Sequence, residues 1–140
     1  NMASGPDSNG GGILGRDVTI TGSTISGNWA SGRDSNGGGI STFGESTWFR
    51  ESVTVTYSTI TDNHVANDGG GIWMNSGTST AILSHTIVAG NSRTTDDNPP
   101  VADDLAGNGT FEPADVAPLR DWPEIAFVPE RVITCKFIIW

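Results

Sequence analysis

The sequence predicts an all-β fold, specifically a right-handed parallel β-helix (β-solenoid) of about three to four rungs, on three observations. A glycine-rich segment recurs along the chain. A strand-like segment with period-two alternation follows each copy. Each of those strand-like segments ends in Asn at the same offset.

The glycine-rich segment runs from Ser4 to Ile13, returns at Ser31 to Ile40, and returns shortened at Ala66 to Ile72, each time ending Gly-Gly-Gly-Ile. The second block runs from Val18 to Asn28, from Val53 to Asn63 and from Ala81 to Asn91. Within it, Val18, Ile20 and Ile25 are apolar while Thr19, Thr21 and Thr24 lie between or beside them. Period two places one set inward and the other outward. Two short strands joined at Gly22 or its equivalents give a bent unit, and the Gly-Gly-Gly-Ile segment supplies a third strand or a turn. One unit cannot bury its apolar face alone, but stacked copies can. Stacking predicts the columns Ile20–Val55–Leu83 and Ile25–Ile60–Val88, with neighbours about 4.8 Å apart. Asn28, Asn63 and Asn91 then form either an amide ladder at one corner or a set of strand ends in the left-handed conformation.

Composition agrees with this reading. The chain has 19 Gly in 140 residues, nearly twice the usual share of about 7%. Its charged fraction is 16%, against about 25% in an average domain. Net charge is −9, which argues against nucleic acid as a partner, because phosphates call for Lys and Arg. Cys135 is the single cysteine, so no intrachain disulfide forms. No apolar run reaches the roughly 20 residues of a membrane span, and no signal-peptide pattern opens the chain. The chain reads as a fragment of a longer protein.

The repeats are confined to residues 1–111, and residues 112–140 form a non-repeat tail. Prolines gather from Pro99 onward, Ser, Thr and Gly thin out after Glu112, and Cys135 to Trp140 is apolar. The tail is either a cap over the open end of the stack or sequence foreign to the repeat.

Over about residues 4–111 the chain resembles the right-handed β-helix repeat proteins of bacterial cell surfaces, including the polymorphic outer-membrane-protein repeats. It is more similar still to the choice-of-anchor secreted β-helix proteins. The likeness lies in Thr86-Ile87-Val88-Ala89-Gly90-Asn91 followed by Asp103-Asp104-Leu105-Ala106-Gly107. The resemblance implies an extracellular or cell-surface module, adhesin-like and non-enzymatic. It departs from those families in lacking a sorting anchor and in its unfamiliar C-terminus.

The candidate catalytic residues fall at positions the repeats do not share. Asp62 and Asp68, with Arg50 or Arg93 as the cation, are the carboxylates a polysaccharide lyase or glycoside hydrolase would need; fold alone does not give that activity. Asp7, Asp34 and Asp68 could hold calcium between rungs if stacked in one loop. Asp34 opens an oxygen-rich run with Glu45 in twelfth place, although Gly38 and Ser41 break the calcium-loop pattern. The alternative is an Asp/Asn-Gly turn. Among five Trp residues, Trp29, Trp48 and Trp73, together with Phe49, are candidates for stacking on sugar rings or for packing over coil ends. The rows Thr19/Thr21 and Thr54/Thr56 suggest an ice-binding array, which Ile82/Ser84 interrupts. His64 and His85 show no partner at a consistent offset. No organic cofactor is implied, and the open ends of a short stack make end-to-end self-association plausible.

Overall fold

The computed structural model describes residues 1–43, 50–94, 99–113 and 137–138. Among them there is no helix, and the strands gather into four sheets. The chain visits these sheets in rotation, one strand in each per circuit. The first circuit is β1 (Met2–Ala3), β2 (Ile13–Gly15), β3 (Asp17–Thr21) and β4 (Thr24–Ser26). The second is β5 (Trp29–Ala30), β6 (Ile40–Thr42), β7 (Ser52–Thr56) and β8 (Thr59–Thr61). The third is β9 (His64–Val65), β10 (Ile72–Met74), β11 (Thr80–Ser84) and β12 (Ile87–Ala89). Then come β13 (Ser92–Arg93), β14 (Val101–Ala102), β15 (Leu105–Gly107), β16 (Thr110–Pro113) and β17 (Phe137–Ile138).

Each strand pairs in parallel with its counterpart one circuit away, so equivalent residues lie side by side. Ile20 is level with Val55, and Val55 with Leu83. Ile25 is level with Ile60, and Ile60 with Val88. Ile13, Ile40, Ile72 and Leu105 form another column. These side chains point inward and make one continuous core. Alternation is visible within single strands: in β3, Val18 and Ile20 are buried while Asp17, Thr19 and Thr21 are exposed. Parallel pairing continues to Pro113, opposite Leu83.

Two features differ from the sequence-based expectation. Each circuit carries a fourth strand, of only two residues, after the Asn corner. Two residues are too few to show a period. Two strands also run against the grain: β14 pairs antiparallel with β13, and β17 antiparallel with β12.

The corners depend on left-handed backbone. Gly27, Asp62 and Gly90 have φ of 63°, 53° and 75°, each immediately before a corner Asn. The Asn residues themselves are not left-handed. Their side chains turn inward, where Asn28, Asn63 and Asn91 are all buried.

Candidate functional site

The buried Asn row fixes the corner on which the outer residues sit. Asn28 donates its side-chain amide to Asn63 Oδ1 at 2.8 Å, and Asn63 donates to Asn91 Oδ1 at 2.9 Å. Each backbone N–H points to the same acceptor, at 3.1 Å in both cases. The second amide hydrogens of Asn63 and Asn91 go to the carbonyls of Ile25 and Ile60, each at 3.0 Å. The row extends beyond the repeats at both ends. Asn1 donates to Asn28 Oδ1 at 3.2 Å, and Asp104 Oδ1 accepts from Asn91. A second, shallower row runs the other way: Asn67 donates to Asn36 Oδ1, and the Asn36 backbone N–H donates to Asn9 Oδ1.

Immediately after the buried corner, the outer face of the first sheet presents Trp29. It is 46% exposed and meets the ring of His64 edge-on, with centroids 5.5 Å apart at 74°. His64 lies one circuit on, level with Trp29. Its Nδ1 lies 2.9 Å from Ser92 Oγ, and its Nε2 lies 2.9 Å from Thr94 Oγ1. Partial desolvation lowers the His64 pKa from its usual 6.5, which favours the neutral ring. A flat indole edge, a neutral imidazole and two hydroxyls therefore share one face. Sequence reasoning singled out Trp29 but gave His64 no partners, because they sit on the neighbouring circuit.

Trp73 is half-buried on the outer side of β10, level with Ser41. It belongs to a different sheet from Trp29. Trp48 and Phe49 lie outside the described residues, as does Glu45.

The carboxylates and arginines divide into separate places. Arg93 Nη1 pairs with Asp68 Oδ1, and its Nε lies 3.8 Å from Asp103 Oδ2. Asp103 also accepts the Gly69 N–H at 2.7 Å. Desolvation raises its pKa above 3.8, against the lowering effects of that hydrogen bond and of Arg93. Asp62 stands apart, at the corner between β8 and β9, in the slot that Gly27 and Gly90 fill elsewhere. Arg50 is exposed just ahead of β7. Its neighbour Glu51 is 1% exposed, with Oε2 accepting from Ser79 Oγ at 3.1 Å and Oε1 unpartnered.

Of the residues weighed for calcium, Asp7 and Asp34 share a corner position, both with positive φ. Asp68 is not level with them, because it bridges to Asn36 instead. The third copy is shortened ahead of its glycines, which shifts its acid by two places relative to Asp34. Among the described residues, no three His, Cys, Asp or Glu side chains converge as metal ligands. Among the described residues, no helix is long and apolar enough to cross a membrane.

No protein family, curated protein or solved structure matches the chain.

Proposed function

We propose that the chain is a non-enzymatic right-handed parallel β-helix module of an extracellular or cell-surface protein, and that it serves adhesion through contact with carbohydrate. The single observation that carries the ligand is the Trp29–His64 face. A pyranose presents apolar C–H groups on one side and hydroxyls at its rim. An exposed indole beside a neutral imidazole, with Ser92 and Thr94 hydroxyls alongside, offers complementary surfaces for both. The handedness rests on the general rule that crossovers between parallel strands are right-handed in about 98% of cases. Similarity to the choice-of-anchor and polymorphic outer-membrane-protein repeats belongs to the same proposal, and supports the location.

The test is a glycan array probed with the wild-type chain and with Trp29→Ala. Glycans captured by the wild type and lost in the variant support the reading. An array without wild-type hits sinks it.

A second reading, a polysaccharide lyase or glycoside hydrolase, draws on the Asp68–Arg93–Asp103 cluster. Burial raises the Asp103 pKa despite the neighbouring Arg93 guanidinium, which opposes it, and upward is the direction an acid catalyst requires. Against it, Arg93 is engaged by two carboxylates and is not free for a substrate. Release of reducing or unsaturated ends from acidic polysaccharide, abolished by Asp103→Asn, would favour this reading over the first.

A further inference from the structure

The geometry points to a second sugar-binding subsite at the Tyr57–His85 corner, built to take the apolar face of a neutral pyranose ring. It goes beyond the Trp29 reading and does not depend on it. The corner lies between the third and fourth sheets, and the fourth sheet separates it from the Trp29 face.

Gly22, Tyr57 and His85 occupy one position in successive circuits. The Gly22 N–H donates to Thr56 O at 3.0 Å, and the Tyr57 N–H donates to Ser84 O at 3.1 Å. All three are left-handed, with φ of 58°, 50° and 48°. Glycine suits that backbone, whereas a bulky side chain is strained there. Two consecutive circuits nonetheless carry aromatic rings. Strained residues of this kind gather where a site needs them.

The rings stack on each other, with centroids 4.8 Å apart and planes 23° from parallel. That contact covers one face of Tyr57. The opposite face turns toward the circuit of Gly22, where even an added Cβ would meet nothing within 4 Å. Tyr57 is accordingly 66% exposed. The gap is one rung deep, about 4.8 Å, which suits a saturated ring resting at van der Waals distance of about 3.5–4.0 Å on the phenol. A polar rim surrounds it. The Thr21 and Thr56 hydroxyls lie 3.0 Å apart, and Ser23 Oγ donates to Thr21 O at 2.8 Å. The flanking residues Thr21, Ser23, Thr56, Ser58, Ser84 and Thr86 carry no charge, so the site selects a neutral sugar over a uronate or a basic peptide.

The experiment is an NMR titration of the whole chain with methyl β-D-glucopyranoside, whose axial C–H groups form one apolar face. Saturation transfer strongest at H1, H3 and H5, with shifts at Gly22, Tyr57 and His85, is the expected result. Tyr57→Gly installs the residue the first copy already carries, so its melting temperature stays close to wild type while the sugar-induced shifts disappear. Gly22→Asn, a residue tolerated at that φ, sets a polar, non-aromatic side chain beside the open face of Tyr57 with both native rings in place and also abolishes them. An unperturbed corner in the wild type overturns the proposal. So do shifts that survive in both variants.

Discussion

Asn91 gives both its backbone N–H and its side-chain amide to a single oxygen, Asp104 Oδ1, at 2.9 and 2.8 Å. Within the row, each Asn must accept from one neighbour and donate to the next. Asp104 only accepts, and an ionised carboxylate can do no more. It therefore belongs at the end of the row, and an Asn belongs everywhere before it.

That difference predicts opposite responses to nearly isosteric changes. Asn63→Asp sets a second oxygen against Asn91 Oδ1 and Ile25 O, both acceptors, and destabilises strongly. Asn63→Ala orphans the buried Asn28 amide groups and costs about 3 kcal/mol, at one to three per unsatisfied group. Asp104→Asn keeps an acceptor in place and costs less than about 1 kcal/mol. Urea unfolding of the three variants orders them, and equal losses for Asn63→Asp and Asp104→Asn would contradict the account.

Two glycines should separate crowding from backbone conformation. A Cβ on Gly38 would lie 2.5 Å from His64 O and 2.6 Å from Gly70 O. Those are backbone atoms of the next circuit and cannot yield, so Gly38→Ala leaves the chain unfolded by circular dichroism. Gly22 has open space around it and only a left-handed φ. Gly22→Ala folds, with a loss of about 1 kcal/mol.

Acid stability has two opposed contributions. His64 has a lowered folded pKa, so the unfolded chain binds its proton more readily. The stability it contributes is present above 6.5 and is lost as pH falls through the folded value. Asp103 has a raised folded pKa. Its contribution is present below 3.8 and is lost as pH rises through the folded value. Melting temperature against pH should therefore decline on mild acidification in the wild type and decline less in His64→Gln. Asp103→Asn should flatten the profile just above 3.8. Profiles that superimpose on wild type would refute both assignments.

The parts of this architecture legible in the sequence are those that repeat. Alternation at Val18, Ile20 and Ile25, copied at Val53, Val55 and Ile60, is enough to give all-β structure and the side-by-side columns. The two-residue strands at Trp29 and His64 are too short to carry a pattern. Asp104 is hidden because it replaces Asn in a degenerate copy, and Asn1 because it precedes the first one. The Tyr57–His85 stack and the hydroxyls around His64 form only between circuits. They connect residues that are far apart in sequence, at positions where the copies disagree. Asp62 shows the converse. It stands out as an acid among glycines, and its place in the structure is a left-handed corner that Asp tolerates.

The reversed strands β14 and β17 bear on a hazard common to all stacked parallel sheets. Such a stack has the geometry of a fibre, in which each layer seeds the next in the same direction. Growth by addition of like layers needs all the sheets to offer a parallel edge at once. In two of the four, the last forward strand is already matched by one of opposite sense. Among the described strands, a further layer of the same sense would therefore find a forward-running edge at β15 and β16 and a reversed neighbour at β14 and β17.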